Sequence, residues 1–539
     1  MYISKSKGIV NLYDYISVYK NKGIEIFLNG VVYVPGRKEG AESIEYFLEL
    51  YRKESRFCFE CLRGAYSLVI VQENRVIVFG DNSCMKGFFV SYDAVGSNFE
   101  EMVVRKDNLQ IDEMGICEYL TLIRGGFSAK TYIEGIEHSD YRKYYLFENG
   151  EVYINEKMIR EIDDYTDIVD FDVDHFFRDV EYAFSNKKVV CALTGGYDSR
   201  LVSTMMNRNV SVDTFVSGDN LASSEIKYAQ MVAEAGKYNF RILDTNYVDV
   251  TDEYIVEHIK ENGSYCVQMG TGDMRIDSFM RQLKKEGYEL LLDGNAGDMH
   301  KSFWFTQEFP FFLKKRTDYK KFYRMRMESV PTCLGSYVRD SLQEMKEYEY
   351  SKMKQLISEY AWESCMKFGW YSDWYNMVAK NANRVCPQIY SPLQEIDLVR
   401  YSFKMGYKGK KMNKFFRKYI SEGNIDVARV KTIYGTTASV ELKYLLKDYF
   451  AQGLRYGIQM VRYVIRKFFR KSLFISNVNS RNIEQEVRET NIAKQAVEWA
   501  KRENLVEKYV RVETIPFVLL ERIMNVYYIF IQKEEKKEV

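Results

Sequence analysis

The sequence predicts an α/β protein in which an N-terminal antiparallel β-sandwich is followed by a parallel sheet flanked by helices and then by a helical C-terminal part. Three observations predict it. Stretches within the first 155 or so residues alternate apolar and polar positions between Gly, Asn and Asp breaks, which marks strands with one buried face. "KKVVCALT" and "ELLLD" are instead nearly all apolar, as strands are when helices cover both faces of a parallel sheet. Beyond about residue 301 helical patterns dominate. A chain of 539 residues exceeds a single core, so two or three domains are expected, here 1–160, 161–440 and 441–539.

In chain order, "GIEIFLNGVVYV", "AYSLVIVQENRVIVFGD" and "YYLFENGEVYI" are the clearest strands of the sandwich. The opening "MYISKSKGIV" carries no secretory signal and no run of 18 apolar residues follows anywhere, so a cytoplasmic location is expected. With 77 Lys+Arg against 76 Asp+Glu the formal charge is +1, which excludes the basic footprint of a dedicated nucleic-acid binder. Nine cysteines scattered over the chain suit reduced thiols. Cys58 and Cys61 have CxxC spacing, but no second pair or nearby His completes a zinc site, so two semi-buried thiols are expected.

Near residue 160 the pattern changes: "EIDDYTDIVDFDVDHFFRDVEYAFS" is acidic and then helical, and strands alternate with helices over 187–301. The first strand there runs into "LTGGYDSR". At the carboxyl end of a parallel strand, a loop entering a helix offers unpaired amides and the positive end of the helix dipole. Gly195 and Gly196 let the backbone approach a bulky anion, and Thr194 and Ser199 add hydroxyls. Asp198 beside a phosphate is repulsive unless a cation lies between them, which points to Mg2+. The rival is an ordinary strand-to-helix turn capped by Asp or Ser. The spacing is not that of a Walker A loop or of the dinucleotide fingerprint.

"LTGGYDSR" resembles the SGGxDS pyrophosphate loop of ATP pyrophosphatases, and the chain over about 1–440 resembles the asparagine synthetase family. "DTFVSGD" with "SSEIKYAQMVAEAG" is similar to the family's second strand, beside the adenine, and the helix after it. "LLLDGNAGDMHKSFW" resembles LLSGEGxDE, whose metal-binding Asp falls at Asp298. "RVCPQIYSPLQEIDLVRYSF" and "DVARVKTIYG" resemble two later segments, the second with its phosphate-facing lysine at Lys431. "CLRGAYSLVIVQENRVIVFGDNSCMKGFFVSYD" resembles the class II amidotransferase pattern, and "YLTLIRGGFSAKTYIEGI" the linker after it. The resemblance implies an adenine nucleotide α-hydrolase-like synthetase domain binding ATP and Mg2+. Thr194, Gly195, Gly196, Asp198, Ser199, Ser217, Gly218 and Gly294 would line the nucleotide site, Asp198 and Asp298 would hold the metal, and Lys431, Arg429 and Asn295 would be the catalytic set.

Two departures qualify that reading. Glutamine-hydrolysing members expose a cysteine at position two, where this sequence has Tyr2 and no cysteine before Cys58, so a degenerate amidotransferase domain is expected. Asn295 stands where asparagine synthetases carry a Glu, and an amide is no general base. β-Lactam synthetases and lasso-peptide cyclases share the lost glutaminase and are nearest in logic. His300 or a Tyr is left as a base candidate, with a structural His the rival. In "GLRYGIQMVRYVIRKFFRKSLF", Leu454, Ile458, Val461, Ile465 and Phe468 form an apolar stripe beside six Arg and Lys and no acid. The favoured expectation is a helix packed on the synthetase domain, and the alternative is a peripheral membrane or other anionic contact by residues 454–471.

The leading expectation is an ATP- and Mg2+-dependent ligase that adenylates a small-molecule or peptide carboxylate and joins it to ammonia or a substrate amine, with no nucleic-acid partner. An ammonia-using asparagine synthetase and a non-catalytic ATP-binding assembly protein are the rivals, and the oligomeric state stays open. A tRNA-thiolating enzyme is disfavoured, because Cys191 lies inside a strand and the balanced charge offers no RNA face.

Overall fold

The computed structural model describes the chain apart from residues 124, 169, 219, 246–248, 266–278, 307–316, 373–386, 470–482 and 536–539 and the side chains of 459, 462–469 and 535. Its first 156 residues contribute β1 (Tyr2–Ser4), β2 (Gly8–Asn11), β3 (Ile16–Asn21), β4 (Ile24–Gly30), β5 (Tyr66–Gln72), β6 (Arg75–Gly80), β7 (Phe89–Val90), β8 (Ala94–Gly96), β9 (Glu137–His138), β10 (Lys143–Glu148) and β11 (Glu151–Glu156). They form two antiparallel sheets, ordered β2-β1-β8-β7-β9 and β11-β10-β6-β5-β4-β3.

The alternation read in the sequence has a direct counterpart in these layers. On β5, Leu68 and Ile70 join a core with Ile44, Phe47 and Leu48 of the helix Ala41–Glu54, while Val69 between them faces the other sheet with Ile3, Val90 and Val95. Val78 on β6 follows Val69, and its neighbours Ile77 and Phe79 follow Leu68. Period two therefore places successive side chains in two different cores.

The second sheet is parallel, built from β12 (Val189–Ala192), β13 (Asp213–Gly218), β14 (Phe240–Asp244), β15 (Leu290–Leu292) and β16 (Gln388–Tyr390) in the order β14-β13-β12-β15-β16. Both faces are covered. Cys191, Val216, Leu290 and Leu292 pack with the helices Val173–Ala183, Asp198–Met206 and Ser224–Gly236, whereas Val190, Phe215 and Leu291 pack with Met280 and Leu283. That burial explains the unbroken apolar runs of β12 and β15.

The helices Asn491–Arg502 and Phe517–Glu535 share one core with Phe99, Ile116 and Tyr132 near the sandwich and with Met299, Trp304 and Phe403. The helix Leu442–Phe469 differs from the favoured expectation. The described part of its apolar stripe is not packed on the parallel-sheet domain, since Leu454 and Val461 are 59% and 58% exposed and Ile458 is also open to solvent. The side chains of Arg462, Ile465, Arg466, Lys467 and Phe468, and residues 470–471, lie outside the described residues, as do residues 384–386 of the "RVCPQIYSPLQ" segment.

Candidate active site

At the carboxyl ends of β12, β13 and β15 lies a cleft of about 540 Å³ lined by Thr194, Asp198, Ser199, Ser217, Gly294 and Asn295, together with Glu225, Asp293 and Ser391. It stands where ligands bind in open α/β sheets. Ser217 and Gly218 end β13, where Gly218 leaves room for Ile226.

The glycine loop after β12 is held by its own hydroxyls. Ser199 Oγ accepts from the Thr194 amide at 2.9 Å and lies 2.8 Å from Thr194 Oγ1, while the Gly196 amide donates to Thr194 Oγ1 at 3.3 Å. The helix Asp198–Met206 starts at Tyr197, whose side chain makes no cap bond to the first-turn amides. The two glycines have different duties. A Cβ on Gly195 would meet Ile433 at 2.5 Å and Tyr228 at 3.1 Å, so this glycine serves packing. At Gly196 the nearest atom is Thr194 Oγ1 at 3.4 Å, and it is Gly196 that leaves space for a ligand.

The Lys431 segment is docked on this loop. The Ile433 amide donates to Gly195 O at 3.0 Å, and Tyr197 Oη lies 2.8 Å from both Thr436 Oγ1 and Thr437 O. Arg200, fully buried, donates to Val430 O at 2.7 Å and Lys431 O at 3.1 Å. Burial pulls its guanidinium down to about 10. The Lys431 side chain is exposed, on a backbone fastened beside the glycine pair. Arg429 does not join the cleft: its guanidinium grips Glu441 at 2.7 and 3.1 Å and Asp426 at 3.0 Å.

From the opposite side comes the loop after β15. Ala296 is left-handed with φ 59°, and its turn presses Gly294 and Gly297 against the start of the glycine-loop helix. A Cβ on Gly294 would stand 2.4 Å from Ser199 N, and one on Gly297 2.2 Å from Asp198 Cγ. Asp198 thus abuts the residue preceding Asp298. Lys301 Nζ lies 2.6 Å from Asp198 Oδ2, and the charges of both Asp198 and Asp298 raise the Lys301 ammonium against the lowering effect of burial. Asp198 Oδ1 is buried and has no hydrogen-bond partner among the described residues. A carboxylate oxygen left open in this way would suit a divalent cation, to which phosphate and Asp298 would supply further ligands. No group of three or more His, Cys, Asp or Glu able to hold a metal exists among the described residues, so phosphate oxygens would have to complete the coordination.

Asn295 lines the cleft, but its Nδ2 donates to Gln394 Oε1 at 3.0 Å, and its amide donates to Asp293 Oδ1 at 3.0 Å. Burial raises Asp293, and the Ser391 hydroxyl, donating at 2.5 Å, partly offsets that. His300 is fully buried, bonded through Nε2 to Leu393 O at 2.7 Å and stacked on Phe415, and burial pulls it down to about 3. It is a neutral structural histidine, which removes it as the base candidate. The Cys61 thiol lies against Cys58, and burial pushes it up.

Glu225, Asp293 and Ser391 also line the cleft, and Lys301 stands beside it on Asp198; each lies inside a stretch that resembles the family, with nothing there to single it out. For Lys301 the only mark is a cation three places past Asp298; Ser391 directly follows β16, almost a hundred residues after its neighbour β15 in the sheet.

A family model described as asparagine synthase matches residues 181–364, which contain the glycine loop, Asp298 and Lys301. No curated protein matches the chain.

Proposed function

We propose, from the asparagine synthase family match over residues 181–364, that this chain is an ATP-dependent amide-forming ligase that adenylates a carboxylate and couples it to ammonia or to a substrate amine without hydrolysing glutamine. One observation carries the reading. Thr194, Asp198 and Ser199 of the glycine loop line a cleft at the carboxyl edge of the sheet together with Gly294 and Asn295 of the loop after β15, while Ile433, two residues past Lys431, is bonded to Gly195 and Lys301 is set against Asp198.

In the proposed reaction a carboxylate oxygen attacks the α-phosphorus of ATP and the α–β bridging bond breaks, releasing pyrophosphate. The amine nitrogen then attacks the acyl carbon, AMP leaves, and the amine loses one proton. Thr194, Gly196 and Ser199 would receive the departing pyrophosphate, for which the uncapped helix start offers amides. Asp198 and Asp298 would hold Mg2+, which when bound neutralises phosphate charge. Lys301 keeps the Asp198 carboxylate oriented and adds a positive charge of the chain's own beside the phosphates. Lys431 would meet the charge that builds at phosphorus, a role suited to an exposed ammonium on an anchored loop. Asn295 can donate or accept a hydrogen bond but cannot take the amine proton.

Glutamine independence is supported by the thiols. Cys58 and Cys61 are the first cysteines of the sequence, and the raised Cys61 thiol offers no thiolate at neutral pH. The decisive experiment is carboxylate-dependent exchange of labelled pyrophosphate into ATP across a panel of carboxylates, followed by addition of ammonia, glutamine or amines. Exchange with one carboxylate, and amide formed with ammonia or an amine but not with glutamine, is the expected result. Exchange with aspartate and asparagine formed from ammonia would narrow the reading to an ammonia-using asparagine synthetase. ATP binding without exchange on any carboxylate would overturn the reading in favour of an assembly protein.

A further inference from the structure

The helix Leu442–Phe469 spans about 42 Å at 1.5 Å per residue. Its first turns are fastened to the body, where buried Asp448 accepts from Arg417 at 2.8 Å and from Thr437 Oγ1 at 2.8 Å. Facing away from that anchor, Leu442, Leu446, Phe450, Leu454, Ile458 and Val461 are exposed, Phe450 by 76% and Leu446 by 62%. A row of this length is more than scattered surface apolar residues and marks a contact surface.

The charge on the same helix selects the occupant. Over 442–469 the sequence holds six Lys and Arg, and its sole acid, Asp448, is already paired with Arg417. The described cations Lys443, Lys447 and Arg455 lie among or beside the exposed apolar residues, with Arg455 placed over the Tyr434 ring at 5.0 Å. A second copy docking here by two-fold symmetry would set these cations against their own images. An anionic lipid surface instead accepts the apolar row into the acyl boundary and the cations at its headgroups. No described helix is long and apolar enough to cross a membrane, so the contact lies along the surface.

We propose that the exposed face of the helix Leu442–Phe469 docks this protein on an anionic lipid bilayer.

The test is flotation of the full chain with phosphatidylcholine vesicles that contain or lack phosphatidylglycerol. Flotation with the anionic vesicles alone, weakened by salt, is expected. Lys447→Gln should weaken it roughly fivefold, the equivalent of one surface charge. Combined Leu446→Glu, Phe450→Glu and Leu454→Glu should abolish it, with the melting temperature unchanged because all three side chains are exposed; were that variant to melt early, Lys447→Gln and the salt series decide. The proposal is overturned if neither vesicle type carries the protein, if the triple variant still floats, or if light scattering shows a dimer that the triple variant splits while vesicles stay unbound.

Discussion

The cleft at the sheet edge and the seam between the sandwich and the parallel sheet are both built around carboxylates, yet they treat them in opposite ways. At the seam the chain satisfies its own acids. Glu395 accepts from the Gly64 amide at 2.7 Å and Ser83 Oγ at 3.0 Å; Asp81 accepts from the amides of Ser83, Met85 and Lys86; Asp397 takes the Arg63 guanidinium at 2.8 and 3.1 Å. In the cleft Asp198 has one oxygen on Lys301 and one left open. A buried acid whose lone pairs are all used is architecture, and one with a lone pair to spare is prepared for a ligand. The two regions meet at Gln394, which donates to Ser83 O at 2.9 Å and accepts from Asn295 at 3.0 Å.

The largest effect expected from this contrast is at Asp198. Asp198→Ala should lower carboxylate-dependent pyrophosphate exchange by about a hundredfold or more while the melting temperature holds or rises, since the residue serves a ligand. A variant that unfolds and keeps its exchange rate per folded molecule would place Asp198 with the seam acids.

Gly294→Ala should act on structure as well as turnover. Its Cβ would stand 2.4 Å from Ser199 N, so the loop must shift, with a loss of about 1–3 kcal/mol in denaturant unfolding. A stability matching the parent would mean that the two loops are not pressed together.

The seam is tested by pH. Burial raises Glu395 from its ordinary 4.5 to about 7, so the folded chain holds this proton more tightly than the unfolded one. Stability contributed here is therefore full at low pH and falls as pH rises through that window. Glu395→Gln should flatten the decline of melting temperature between pH 5 and 8, and an unchanged slope would assign it to other groups such as Asp81, which burial raises to about 6.

The smallest effect belongs to Arg429, whose guanidinium is held by Glu441 and Asp426. Arg429→Ala should reduce exchange by less than about fivefold, through looser anchoring of its loop. A loss comparable to that of Asp198→Ala would return Arg429 to the reacting phosphates.

Much of the fold was legible because burial writes a period into sequence. The alternation in β5 and β6 separates two cores, and the unbroken runs of β12 and β15 report two covered faces. The glycine loop was legible too, since its hydroxyls and glycines lie within eight residues. β14 and β16 had no equally clear signature, and Lys301 had none, because its meaning depends on which acid stands opposite.

Sequence alone determined the layers and the strand that runs into the glycine pair Gly195 and Gly196, because local spacing decides which face a residue occupies. Tertiary structure decided which of those groups work together. It put Lys301 on Asp198, packed Gly195 against Ile433 and Tyr228 while leaving Gly196 open, tied Arg429 to Glu441 and Asp426, buried His300, and left Leu446, Phe450 and Leu454 of the long helix exposed. Those outcomes depend on contacts between residues dozens to hundreds of positions apart, which no local pattern encodes.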